Sequence, residues 1–231
     1  MRRRERLAVI GSEPVGLYTL LRVERGGLDP GRPGQFFMLS PPGRVLPRPM
    51  SLCLAPPGEL AFLGDPSGPG TRALCELEPG DGLEVFGPLG HGFDLDVDRP
   101  LLVGGGIGVA PLPYLAQALD ARALAVGFRT CRHAEAAALL PPSTEVVVEP
   151  TLVTELIEPG FNVLACGPEP MLDAVAELCP GAQLAREAPM ACGYGACYGC
   201  AIEIAGEWKR LCVEGPVVTK QQRVTRQEAA A

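Results

Sequence analysis

The chain has 231 residues, 47% of them hydrophobic, with 29 glycines, 25 prolines, nine cysteines and a formal net charge of −7. That length suits one large or two small domains with an appendage, and the acidic balance gives no electrostatic basis for nucleic-acid binding. No stretch reaches the ~18 apolar residues of a membrane span; the basic start Arg2-Arg3-Arg4 runs into Glu5 and Arg6 rather than a signal-length apolar segment, so a cytoplasmic chain with reduced thiols is expected.

Residues 1–97 read as strands and turns. Leu7–Ile10, Gly16–Val23, Gln35–Leu39, Ser51–Ala55 and Leu83–Phe86 are short β-like runs. Between them stand Gly26-Gly27, Pro30-Gly31, Pro41-Pro42-Gly43 and Pro56-Pro57-Gly58, which supply turn chemistry. Short strands at such spacing predict an antiparallel barrel or sandwich. Arg48-Pro49-Met50-Ser51 leads into one strand; an Arg can clamp a phosphate and a Ser hydroxyl can bond a ring or phosphate, although alone it is only a turn. Gly68-Pro69-Gly70-Thr71 offers a hydroxyl to cap a helix over Arg72–Glu76, and such a cap can also bind phosphate. Gly87–Phe93 closes the domain and carries His91, read as a loop residue rather than a base.

The pattern changes at Arg99-Pro100. Leu101–Val103 is a buried-strand run meeting Gly104-Gly105-Gly106-Ile107-Gly108, followed by a helical stretch over Pro111–Leu119. Strands are expected at Ala123–Val126, Glu145–Val148 and Asn162–Ala165, and a helix at Glu169–Leu178. Alternation of strand and helix predicts a parallel α/β sheet over residues 98–184. Glycines at a strand–helix turn let a pyrophosphate approach the helix N-terminus, but Pro111 breaks the G-x-G-x-x-G fingerprint, and a ligand-free tight turn uses the same residues. Cys166-Gly167-Pro168 lies at a strand's carboxyl end, where ligands of open sheets sit; a buried Cys before a turn is the plain alternative. Arg129, after the second of these strands, is placed to meet a 2′-phosphate, which leaves NAD against NADP open.

Residues 185–231 form a third unit. Cys192, Cys197 and Cys200 give C-x4-C-x2-C, and Cys212 follows after eleven further residues. That is the plant-type spacing of a two-iron, two-sulfide cluster, and the small residues between let backbone N–H groups point at sulfur. Zinc is the competing reading, although zinc ribbons usually show two C-x2-C pairs and this chain has one. Cys53, Cys75, Cys131 and Cys179 lack useful spacing and read as ordinary thiols. The tail from Thr219 is polar and ends in alanines.

Taken in order, R-P-x-S, G-x-G-T, G-P-L-G-x-G-F, G-G-G-x-G-x-x-P, C-G-P and C-x4-C-x2-C…C, the chain resembles the ferredoxin–NADP reductase superfamily. Within it, the chain is similar to the electron-transfer subunits of NAD-dependent (class 1B) dihydroorotate dehydrogenases. The resemblance implies an FAD-binding β-barrel (1–97), an NAD-binding α/β domain (98–184) and a cluster segment (185–231). It implies FAD at Arg48, Pro49, Met50, Ser51, Gly70 and Thr71. NAD is implied at Gly104, Gly105, Gly106, Gly108, Cys166, Gly167 and Pro168, and the cluster at Cys192, Cys197, Cys200 and Cys212. It further implies an FMN-bearing catalytic partner that oxidises dihydroorotate, a heterotetramer of two plus two, and no catalytic acid or base on this chain. His91 departs from the family's usual Asn. Two alternatives stay open: the flavin/iron–sulfur subunit of an NADH-dependent ferredoxin:NADP oxidoreductase or sulfide dehydrogenase, and a non-catalytic redox sensor or zinc-stabilised module.

Overall fold

The computed structural model describes residues 2–204, 206–219 and 224–225; most of the polar tail lies outside them. Six strands close a barrel in the order β1-β2-β5-β4-β3-β6: β1 Arg3–Val15, β2 Tyr18–Glu24, β3 Phe36–Ser40, β4 Arg48–Leu54, β5 Glu59–Gly64 and β6 Gly82–Leu89. Closure follows from the length of β1. Its first half pairs with β6 and its second half with β2, both antiparallel, across a register shift between Val9 and Gly11. Val23, Phe37, Leu39, Leu60, Phe62, Leu83 and Val85 fill the barrel interior. The Gly16–Val23 run starts two residues late, because Gly16 turns the chain at φ +65°. Strand β5 was not anticipated: five of its six residues are buried, so it lacks the period-two alternation that marks a half-exposed strand.

Helix α1 spans Pro69–Cys75 and begins earlier than expected. Thr71 therefore does not cap it from outside. Its hydroxyl sits in the first turn, donating to the Gly68 carbonyl (3.2 Å) and accepting the Gly68 N–H (3.3 Å). Proline at the first helical position, with φ already set and no N–H to lose, starts the helix at 69.

The second sheet has six strands in the order β14-β11-β10-β7-β8-β9. Strands β7 Pro100–Gly105, β8 Ala123–Phe128, β9 Glu145–Val148, β10 Asn162–Cys166 and β11 Gln183–Ala185 run parallel, and β14 Val217–Thr219 adds antiparallel beside β11. Crossovers carry α2 Leu112–Leu119, the short α3 Cys131–Ala134 and α4 Glu169–Leu178. The cysteine segment forms a small sheet, β13-β12-β15, from β12 Ala201–Ile204, β13 Glu207–Arg210 and β15 Val224–Thr225, with the one-turn helix α5 at Leu211–Glu214.

The three units share one apolar cluster. Phe36, Met38 and Leu89 of the barrel pack with Leu101, Val103 and Ala165 of the sheet and with Cys200, Ile204, Leu211 and Cys212. Polar ties reinforce the junction. Gln183 bonds both backbone groups of Asp94 (2.7 and 2.9 Å), Tyr114 Oη donates to the Gly31 carbonyl (2.9 Å), and the Arg186 N–H donates to the Pro216 carbonyl (3.0 Å).

Candidate functional site

The barrel brings the two predicted flavin motifs together. Gly70, in the first turn of α1, lies against the Arg48 guanidinium so closely that a Cβ there would collide with it. Arg48 Nη1 donates to the Leu46 and Pro47 carbonyls (2.9 and 3.2 Å), which fixes the cation over the helix start. Strand alternation separates Arg48 from Ser51. Pro49 and Ser51 face a cavity of about 150 Å³ whose other walls are Phe36, Arg186, Glu187, Ala188, Met190 and Pro216. Met50 packs instead against the barrel core.

The barrel and the segment that leaves β11 toward the cysteine loop thus wall the same cleft. Arg186 and Glu187 were not anticipated, because they follow β11, a three-residue strand that exists through its pairing with β10 and β14. Arg186 is buried, 5% exposed, and its guanidinium bonds Glu169 and Asp173 (2.8 Å to the latter) on α4. Its Nε is buried without a partner among the described residues. Glu187 lines the cleft; loss of hydration there, then the charge of Glu169, push its carboxyl above the ordinary range.

The nicotinamide-type motifs meet at the carboxyl ends of β7 and β10. The predicted glycines divide into two roles. Gly105 and Gly106 line a cavity of about 350 Å³ with Pro168, Met171, Phe128, Arg129 and Glu149. Gly104 and Gly108 are packing positions. A Cβ on Gly104 would meet Leu112 Cδ1 at 2.7 Å, and one on Gly108 would collide with the Cys166 carbonyl. The run is therefore glycine partly because the turn and the Cys166-Gly167 loop touch backbone to backbone. Burial, then the charge of Glu187, hold the Cys166 thiol far above its ordinary range, so it is neutral at pH 7. His91 lies elsewhere, in an open groove of about 770 Å³ with Arg2 and Arg32, and its N–H donates to the Gly215 carbonyl.

The four cysteines sit in two pairs. Cys200 and Cys212 sulfurs are 3.1 Å apart, and the Cys212 N–H approaches the Cys200 sulfur at 3.5 Å. Around Cys192, the N–H groups of Tyr194, Cys197 and Ala196 and the Cys197 thiol favour the thiolate. Burial raises the Cys192 thiol, but those donors outweigh it and the net direction is down. Burial first, then the neighbouring Cys200 sulfur, raise Cys212, and the Gly195 N–H opposes them. Left-handed backbone at Gly193 (φ +76°), Gly195 (φ +92°) and Tyr198 (φ +59°) winds the loop so that these N–H groups face sulfur. Among the described residues no three His, Cys, Asp or Glu side chains converge as for a single metal ion. Two thiol pairs ringed by N–H donors fit a two-iron group, each iron taking two thiolates, better than one tetrahedral zinc.

A closed antiparallel barrel, a parallel nucleotide-type sheet and a four-cysteine segment at their junction define the fold of the ferredoxin–NADP reductase type, with an appended cysteine unit. A family model described as the iron-sulfur cluster binding domain of dihydroorotate dehydrogenase B matches residues 187–223. The dihydroorotate dehydrogenase B (NAD(+)) electron transfer subunit of Caldanaerobacter subterraneus subsp. tengcongensis is 37% identical over 80% of this chain and 84% of its own length. That of Geobacillus thermodenitrificans is 37% identical over 93% and 96%. The chain belongs to this family of dihydroorotate dehydrogenase B electron transfer subunits. Among solved structures, an NADH-dependent reduced ferredoxin-NADP oxidoreductase chain superposes with a TM-score of 0.79 at 21% identity, over 95% of this chain and 89% of the other. Phthalate dioxygenase reductase gives 0.67 at 16% identity over 87% and 86%; both share the fold.

Proposed function

We propose that this chain passes electrons through a two-iron, two-sulfide cluster and FAD to NAD⁺, drawing them from a partner that oxidises dihydroorotate in pyrimidine (UMP) synthesis. The observation that carries the reading is the shared cleft, where Ser51 of the barrel, Glu187 beyond β11 and Met190 beside the cysteine loop face one another. A flavin there exchanges hydride with a nicotinamide and single electrons with an iron–sulfur centre, which neither of the other two groups can do for both.

The chain's own residues divide the work. Residues 1–97 hold FAD: Arg48 supplies a fixed cation, Gly70 and Thr71 present the first turn of α1, and Pro49, Met50 and Ser51 set the cleft wall. Residues 98–184 hold NAD. Gly105, Gly106 and Pro168 shape its cavity, Gly104, Gly108 and Gly167 let turn and loop close on each other, and neutral Cys166 keeps that end uncharged. Residues 185–231 hold the cluster through Cys192, Cys197, Cys200 and Cys212. The neighbouring N–H groups that favour thiolate at Cys192, and that of Gly195 at Cys212, support this reading. Dihydroorotate oxidation falls to an FMN-bearing catalytic partner, in an assembly of two copies of each chain, in the cytoplasm.

The test is anaerobic purification of the native complex, with flavin, iron and acid-labile sulfide measured, followed by assay of dihydroorotate-dependent NAD⁺ reduction. Activity that needs both chains is expected. Turnover of dihydroorotate by this chain alone, or a flavin- and iron-bearing complex that ignores dihydroorotate, overturns the assignment; zinc without flavin overturns the electron-transfer reading altogether.

A further inference from the structure

Tyr18 opens β2 of the barrel, yet its ring lies across the junction with the parallel sheet. It is 3% exposed and shares an apolar cluster with Val109 and Ala136 of the sheet unit. Its ring centroid stands 5.5 Å from that of His133, whose Nδ1 is held by the Thr130 hydroxyl at 2.8 Å. The turn before it is tightly seated as well: a Cβ on Gly16 would collide with the Arg132 carbonyl. A barrel side chain is thus fixed from both units.

Its hydroxyl ends beside the glycine turn. A Cβ on Gly104, Gly105 or Gly108 would run into packed neighbours. One on Gly106 would have Tyr18 Oη at 3.9 Å and, apart from its chain neighbours, nothing else among the described residues within 4 Å. Space is therefore open in front of Gly106, with the hydroxyl at its edge. Among the described residues that hydroxyl makes no hydrogen bond, and it is not sealed off, because the buried side-chain polar atom left without a partner is Arg186 Nε. Gly106 also lines the cavity of about 350 Å³ together with Arg129 and Glu149. Burial, then the charge of Asp65, raise the Tyr18 hydroxyl to about 12 against the opposing charge of Arg129, so it stays a neutral donor. An O–H donor and a guanidinium beside open backbone suit a diphosphate, whose oxygens accept and carry charge. Glu149 on the same wall opposes an anion, and Arg129 offsets it.

We propose that the Tyr18 hydroxyl, delivered by the barrel, donates a hydrogen bond to the pyrophosphate of the dinucleotide at the Gly105-Gly106 turn, so that both units build the NAD site. The proposal rests on the reading of this cavity as that site.

The test is calorimetric titration of the full, FAD-bearing chain with NAD⁺ and ADP-ribose, and with adenosine by displacement of ADP-ribose. Tyr18→Phe keeps the ring and its packing on His133 and removes only the donor. It is expected to weaken NAD⁺ and ADP-ribose about tenfold each, as for one lost hydrogen bond to a charged group. Adenosine, which has no phosphate, and the thermal midpoint should not change. Unchanged affinity for the two diphosphates, or an equal loss for adenosine, overturns the role of Tyr18. A lowered thermal midpoint with all three affinities intact makes the hydroxyl a purely structural group and overturns it too. A wild-type chain that binds none of the three probes overturns the reading of the cavity beneath it.

Discussion

At the residue scale, the site separates groups that bind from groups that allow close packing. Arg48 belongs to the first kind. Its guanidinium is held by two loop carbonyls over the start of α1, so Arg48→Ala should remove one charge-assisted contact, worth about 1.5–3 kcal/mol. The expected outcome is a roughly ten- to hundredfold weaker hold on FAD with the fold intact, read as flavin content after dialysis; unchanged content would take Arg48 out of the site. Cys197 is the exposed member of its pair. Cys197→Ser should abolish the iron–sulfur absorption while FAD stays bound, because the proposed FAD contacts lie in the barrel. Loss of both cofactors from an unfolded chain would show that the units are not modular. The four cysteines proposed to hold the cluster were marked by their spacing, since thiolate ligation dictates which residues can serve. Arg186 and Glu187 were not, because an Arg-Glu dipeptide after a three-residue strand has no local signal; the fold gives it meaning by pairing β11 with β10 and β14.

At the element scale, α4 depends on a tertiary contact to a buried cation. It follows the Cys166-Gly167-Pro168 loop and is tied at Glu169 and Asp173 to the buried Arg186. Removing the cation leaves Glu169, 25% exposed, without its partner, while Asp173, 64% exposed, is largely solvated and loses little. Arg186→Gln should therefore cost about 3 kcal/mol, the lower end for a broken buried pair. Urea denaturation measures that loss, and a matching rise in KM for NAD⁺ is expected because the loop in front of α4 loosens. A stability loss below 0.5 kcal/mol would mean the pair is as inconsequential as most surface ion pairs. The periodic elements were visible in the sequence: β9 and α4 fall where the pattern put them, and α2 begins one residue later. Strands β5 and β11 were not, one because uniform burial erases alternation and the other because three residues carry too little pattern.

At the scale of the whole molecule, the cysteine segment is fastened at both ends. Arg186 bonds Pro216, and β14 beyond it completes the edge of the parallel sheet, so a segment late in the sequence is built into an earlier layer. Between these anchors the loop is held by its small sheet and by apolar contacts to Met38 and Leu89, and the proposed cluster would add to them. Removing iron with a chelator should leave the barrel, the parallel sheet and bound FAD in place, while amide exchange rises over residues 190–214. Equal exchange with and without iron would mean that protein contacts alone order the loop. The sequence by itself determined the order of barrel, parallel sheet and cysteine segment and the spacing that proposes the cluster ligands, because strand period, turn residues and thiol spacing are local properties written into neighbouring positions. It also carried the glycine turn and the Cys-Gly-Pro loop as separate motifs. Only the tertiary structure decided that these two touch backbone to backbone, that Gly104 and Gly108 serve packing while Gly105 and Gly106 line a cavity, and that the barrel and the segment after β11 wall one cleft. Those facts depend on contacts between residues as far apart as Ser51, Glu187 and Pro216, and such contacts arise from burying apolar surface across units rather than from any local pattern.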